Sequence, residues 1–175
     1  MDALGVLMEE HGIILYAINV LGESTARLKS GKDAPKKFYD DFLEIMRNFA
    51  DRCHHGKEEA VLFPVIEKRD PSQHDNVSLL LADHEKGRAF LAGLKEAVAL
   101  NDAARMIENS EGYANLLKLH IQKENLLFPK WMNMLSDDDR VDMFEKFEEI
   151  EERVIGKGKH AEYKLRIKNL LSDIM

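Results

Sequence analysis

The stretches HGKEEAVLFP (55–64) and HIQKENLLFP (120–129) decide how this chain folds. Aligned without a gap they pair His55 with His120, Glu59 with Glu124, Leu62 with Leu127, Phe63 with Phe128 and Pro64 with Pro129. The copies lie 65 residues apart, the length of one helix pair. Upstream of each stands another histidine in an acidic setting, Glu10-His11-Gly12 and Asp83-His84-Glu85. The chain therefore reads as two helical hairpins, each with a histidine on its first helix and His-x-x-x-Glu on its second.

Outward from these stretches the apolar period stays close to that of a helix. A first segment from about 4 to 29 carries Leu4, Leu7, Met8, His11, Ile14, Leu15, Ile18 and Leu21 on one stripe, and Ser30-Gly31-Lys32-Asp33-Ala34 breaks it. Pro35 suits the first position of a second helix, which runs to about Lys68 and stops at Asp70-Pro71-Ser72. A third helix spans about 74–100 and a fourth about 101–134. Ser136 with Asp139 reads as a capping box for a fifth helix over about 137–154. Gly156 and Gly158 precede a short amphipathic helix. No segment alternates as a strand does. The expected class is all-α: an antiparallel up-down four-helix bundle over 1–135, with one or two extra helices over 136–175 packed on it.

The chain has 25 basic and 32 acidic side chains, a net charge of −7, which argues against a nucleic-acid partner or an anionic membrane surface. No run of about 18 apolar residues is present, so no membrane span is expected. The beginning, MDALGVLMEEH, lacks the basic and apolar regions of a secretory signal, and the expected compartment is the cytoplasm. The single Cys53 can build neither an internal disulfide nor a cysteine-rich metal site.

Residues at i and i+4 lie on one helix face about 6 Å apart, so the imidazole and carboxylate of His-x-x-x-Glu can converge on one ion. The inward stripes offer His11, His55 with Glu59, His84, and His120 with Glu124. Four imidazoles and two carboxylates in an apolar interior are costly unless something binds them. Two divalent metals meet that need, each with two histidines, the glutamates bridging and an oxo, hydroxo or water group completing the shell. Iron, manganese or zinc suits these donors. Each proline frees the carbonyl four residues back, of Ala60 and of Asn125, which predicts a bend just past each glutamate.

The segments EEHGIIL, CHHGKEEAVLFP, ADHEKGRAF and HIQKENLLFP together resemble the hemerythrin-like, or HHE cation-binding, domain over about 1–135. The resemblance implies a four-helix bundle around a non-haem di-iron centre. It also implies binding of, or reaction with, O2, NO or peroxide in sensing, stress response or iron handling. The oxygen carriers of that family have five histidines, with His-x-x-x-His on the third helix and a final aspartate; here Arg88 follows His84 by four and the last carboxylate is Glu124. Lys32 stands where some nitric-oxide-linked members supply a histidine. The four-His, two-Glu type fits best, with His11, His55, Glu59, His84, His120 and Glu124 as metal ligands. Fewer protein ligands leave positions open to small molecules, which points toward sensing or redox reactivity rather than simple oxygen carriage. The alternative is a regulatory protein with a structural or iron-sensing metal and a protein partner on the C-terminal helices. The lack of any Glu-x-x-His argues against a ferritin-like oxidase. No side chain is assigned as a catalytic acid or base.

Blander roles fall to the other candidates. His54 with Glu58 is a second i,i+4 pair, but alignment on Phe63-Pro64 selects His55 and Glu59 and leaves His54 on the surface or behind the ligands. His74 and His160 are expected in solvent, Cys53 as an inert buried thiol and Arg88 as an exposed or snorkelling cation. Phe63, Phe128, Leu7, Ile14, Leu80 and Leu117 should line the site, and Trp131 should anchor the fourth helix on the C-terminal extension. The acidic run over 145–152 reads as a solvated face, and the basic tail over 157–168 as a docking helix.

Overall fold

The computed structural model describes residues 3–175. Helix α1 (Ala3–Lys29) buries Leu4, Leu7, His11, Ile14, Ile18 and Leu21, the three-and-four spacing of a single core-facing stripe. It ends where Gly31 adopts φ +74°. Pro35 stands one residue before α2 (Lys36–Ile45) rather than inside it. The same rod then continues through two wide-turn π segments, Met46–His55 and Glu58–Leu62, into α3 (Phe63–Arg69). Asp70 breaks it in an extended conformation, and its carboxylate accepts a hydrogen bond from the Ser72 backbone at 3.0 Å to start the 3-10 turn Pro71–Gln73.

Helix α4 (His74–Ala99) and helix α5 (Ala103–Met132) form the second hairpin. Asp102 caps α5 by accepting from the Arg105 backbone N–H at 3.1 Å. The expected capping box starts α6 (Asp137–Val154): the Asp139 N–H donates to Ser136 Oγ at 3.1 Å while the Ser136 N–H donates to Asp139 Oδ2 at 2.9 Å. Gly156 and Gly158, at φ +97° and +73°, turn the chain into α7 (His160–Asn169) and a 3-10 turn, Leu170–Asp173. No strand occurs among the described residues.

Two separate apolar cores fix the direction of every rod. One holds Ile14, Ile18, Phe38, Phe42, Leu94 and Tyr113; the other holds Leu4, Leu7, Leu62, Phe63, Leu80, Phe128 and Trp131. Along α1 the chain leaves the second core for the first, along the α2–α3 rod it returns, and α4 and α5 repeat the alternation. This is an up-down-up-down antiparallel bundle. The C-terminal helices add to both cores, α7 through Tyr163 and Ile167 and α6 through Met143, Phe147 and Ile150. Trp131 is fully buried in the core it shares with α6, and its indole N–H donates to Gln73 Oε1 at 2.9 Å. Helix α1 is long and apolar enough to cross a membrane, with mean hydropathy 1.4 over 18 residues, but half of that window is buried in the bundle.

Helices α4 and α5 pack tightly at Gly112, where a Cβ would lie 2.3 Å from the Phe90 ring. Gly22, on the exposed side of α1, has nothing within 4 Å of the same position. Gly22→Ala is expected to raise unfolding stability by up to about 1 kcal/mol, the helix-propensity difference. Gly112→Ala, which must displace a packed ring, is expected to lower it by about 1–2 kcal/mol. Chemical denaturation of the two variants side by side reads the difference.

Candidate metal centre

Between the two cores each of the four rods turns polar. Glu10 and His11 on α1, His54, His55 and Glu58 on the second rod, Asp83 and His84 on α4, and His120 and Glu124 on α5 are all buried. Their ligating atoms form two groups, each within 4.8 Å: His11, His54, Glu58 and Glu124 in one, and His55, Glu58, His84 and His120 in the other.

The two carboxylates lie between the groups. Glu58 Oε1 is 3.2 Å from His54 Nε2 and 3.9 Å from His11 Nε2, while its Oε2 is 3.3 Å from His84 Nε2. Glu124 Oε2 is 3.0 Å from His11 Nε2, and its Oε1 is 3.2 Å from His120 Nε2. Each glutamate thus turns one oxygen toward each group. His84 and His120 bring their Nε2 atoms to 3.1 Å of each other, and the His55 ring stacks on His84 at 3.8 Å between centroids.

The outward nitrogens face a ring of acceptors. His11 Nδ1 is 2.8 Å from Asn125 Oδ1, His54 Nδ1 2.8 Å from Glu10 Oε2, and His84 Nδ1 2.7 Å from Glu59 Oε1. Asp51 stands 3.4 Å from His55 Nδ1 and Asp83 3.5 Å from His120 Nδ1. The three hydrogen-bonded acceptors hold the proton on the outer nitrogen and leave a lone pair on the inner one, whereas His55 Nδ1 and His120 Nδ1 lie beside a carboxylate without a hydrogen bond.

His11, His55, His84, His120 and Glu124 are brought together as the sequence spacing predicts. Glu59 is not. Its side chain is 30% exposed, and its Oε1 accepts from Arg88 at 2.6 Å as well as facing His84 Nδ1. Glu58 takes the central position instead, and His54, 1% exposed, joins as a fifth imidazole. The reason is helical register. Phe128 follows Glu124 by four residues, but Phe63 follows Glu58 by five. The π segment Glu58–Leu62 absorbs that extra residue, because an i→i+5 turn accommodates a one-residue insertion without leaving the helix. His54–Glu58 is therefore the true counterpart of His120–Glu124, with the same 3.2 Å separation. The two copies also differ past their glutamates: a π segment in the first, and an α-helix uninterrupted through Pro129 in the second. The visible signal was the His54-x-x-x-Glu58 pair itself; no cue in the sequence marks the π turn.

Other positions also differ from expectation. His160 is half-buried, with Nε2 at 2.7 Å from Glu10 Oε1. Glu151, from the acidic run on α6, lies 3.2 Å from the fully buried Lys57. Arg88 is tied to Asp51, Glu59 and Glu85 rather than free. His74 is exposed and pairs with Glu67, as its loop position suggests. Cys53 is buried, and burial pushes its thiol up to about 12.

The electrostatics suit cations. Burial opposes charge on every group here. The carboxylates of Glu124 and Glu58 nevertheless hold His11 up at about 10, and those of Glu58 and Glu59 hold His84 at about 9. Burial and the neighbouring His84 charge push His55 down to about 4. Glu58 stays well below the usual carboxylate range despite its burial, held there by His54, His11 and His84. Without an ion, protonated imidazoles balance the two anions. All four oxygens of Glu58 and Glu124, with His11 Nε2, are nevertheless buried without a hydrogen bond. Atoms that close yet misaligned for hydrogen bonding fit a shared cation, so the donor set suits metal binding.

Residues 2–131 match the model of the hemerythrin HHE cation-binding domain. The chain belongs to that family. Uncharacterized proteins of Mycobacterium tuberculosis and Mycobacterium bovis are 28% identical to it over 159 residues, covering 87% of this chain and 62% of theirs. The chain thus spans about three fifths of the length of these curated relatives. No solved structure matches it. Within the hemerythrin-like bundle, the four anticipated histidines and Glu124 form the cluster, with Glu58 in place of Glu59 and His54 added.

Glu58→Gln is expected to abolish metal loading, since its oxygens belong to both groups of donors. Glu59→Gln is expected to keep full stoichiometry while weakening affinity about 10–100-fold, the usual effect of removing a group that orients a ligand. Metal analysis after chelator competition separates the two.

Proposed function

We propose that this chain binds a pair of iron ions and uses them to bind or react with O2, NO or peroxide. His11, His54, His55, His84 and His120 would hold the ions together with Glu58 and Glu124, whose oxygens lie between the two groups of imidazoles. The observation that carries this reading is the set of four buried carboxylate oxygens without hydrogen-bond partners, ringed by imidazole nitrogens. Mixed imidazole and carboxylate donors suit iron, with manganese or zinc as substitutes.

When bound, iron supplies the redox chemistry and the positions for a small ligand. The chain's own groups do the rest. Asn125, Glu10 and Glu59 orient His11, His54 and His84 from outside. Phe128 stacks on His11 at 5.5 Å and Phe63 on His84 at 5.9 Å, covering the centre on the side of the second core and excluding water there. Cys53 is held protonated by burial and does not compete as a ligand.

Anaerobic loading with ferrous iron is expected to give two irons per chain, one for each group of donors. Exposure to O2 or NO should then change the absorption near the blue–ultraviolet edge. Protein that stays colourless and iron-free would overturn the reading. Two bound irons with no optical response to either gas would favour a structural or iron-sensing metal.

A further inference from the structure

Outside the two groups of ligands is a third cluster of ionisable side chains: Glu10, Lys57, Glu151 and His160. It joins four elements. Glu10 comes from α1, Lys57 from between the two π segments, Glu151 from α6 and His160 from the first turn of α7. Lys57 is buried to 0% exposure, its Nζ 2.7 Å from Glu10 Oε1, 3.2 Å from Glu151 Oε2 and 5.9 Å from the centre of the Phe147 ring. His160 Nε2 is 2.7 Å from the same Glu10 oxygen and 3.8 Å from Glu151, and its ring packs on Phe49 at 5.2 Å. The other oxygen of Glu10, Oε2, faces His54 Nδ1 at 2.8 Å. Lys57 occupies the space a cation would need, so the cluster is not itself a metal site.

We propose that His160 and Glu151, carried by the C-terminal helices, are positioning residues for the metal centre, acting on His54 through Glu10 and Lys57. The inference rests on the assignment of His54 as a ligand. A buried carboxylate keeps one orientation only while donors meet both of its oxygens. Two donors, Lys57 and His160, converge on Oε1 and hold Glu10 in one rotamer. Oε2 is then a fixed acceptor for the His54 Nδ1–H, which selects the tautomer with its lone pair on Nε2, 3.2 Å from Glu58 Oε1. If the α7 donor is lost, Glu10 gains freedom to turn, and His54 loses the group that sets its tautomer. The group holding His11 and His54 is therefore completed by residues beyond the segment matched by the family model. The group of His55, His84 and His120 instead has Asp51, Glu59 and Asp83 beside its outer nitrogens, all from the four-helix core.

The test compares the full chain with His160→Phe, His160→Gln and Glu151→Gln. Phe keeps the packing on Phe49 but removes the donor; Gln restores one. The readouts are zinc affinity by chelator competition and the tautomer of each histidine by nitrogen-15 NMR of the zinc-loaded protein, with melting of the metal-free form as a control. H160F is expected to weaken one of the two ions about 10-fold and to leave the other unchanged. It should also shift the His54 ring toward mixed tautomers, and H160Q should recover most of both effects. Glu151→Gln, at a partly exposed position, should change both in the same direction by less. If H160F melts as the unliganded parent does yet binds both ions with parental affinity and an unchanged His54 tautomer, the proposal is overturned. If H160F does not fold, unchanged affinity and tautomer in Glu151→Gln overturn it. Failure of the underlying assignment is visible separately: in that case His54→Ala in the parent chain keeps both ions.

Discussion

A layer of buried charge crosses the middle of this bundle, and the rest of the structure is arranged around it. Five imidazoles and two carboxylates share a dry interior between two apolar cores. Moving any one of these groups from water into such a place costs several kcal/mol unless it is compensated. The compensation comes in two rings. Inside, the anions and the cationic imidazoles face one another; outside, three acceptors hydrogen-bond the outer nitrogens of His11, His54 and His84, and two more carboxylates stand beside those of His55 and His120. The apolar clusters on either side keep water out and make each of those interactions stronger than it would be at a surface.

The same constraint explains the irregular second rod. A regular α-helix running through Met46–Leu62 could not bring His54, His55 and Glu58 to one face and still deliver Phe63 to the lower core in register. Ten residues of π-helix, then five more, widen the turn enough to do both. π turns carry poorer hydrogen-bond geometry than α turns and persist where a packing or binding requirement holds them. Here three inward groups from five consecutive residues are that requirement. The opposite rod, α5, presents only His120 and Glu124 and remains α-helical throughout.

The layer is also closed from outside unevenly. On the side of His11 and His54 it is roofed by α6 and α7 through a fully buried lysine and a shared carboxylate. On the side of His55 and His84 the closure is Arg88, about one third exposed, bridging Asp51 and Glu59. Arg88 borders a cavity of about 530 Å³ between the second rod and α4, lined by Leu43, Asp51 and Leu91 among others. The two halves of the centre therefore meet solvent through different kinds of wall, one a docked pair of helices and the other a single guanidinium. The long aliphatic stem of an arginine can move far more readily than a helix.

Periodicity and composition alone determined the all-α class, the two hairpins, the helix ends at Gly31, Asp70 and Ser136, and five of the buried polar groups, His11, His55, His84, His120 and Glu124. These follow from local rules: a 3.6-residue period, capping chemistry, and the i,i+4 geometry that makes His-x-x-x-Glu a pair. What only the tertiary structure decided was which of two overlapping pairs, His54/Glu58 or His55/Glu59, faces inward. An ungapped comparison assumes that both copies wind equally, and the π turn breaks that assumption by one residue, enough to rotate a carboxylate from the centre to the rim. The partners of His160, Lys57 and Glu151 were hidden for a related reason. They meet across separations of 47 to 150 residues in the chain, and no local pattern encodes a contact that exists only once α6 and α7 have docked.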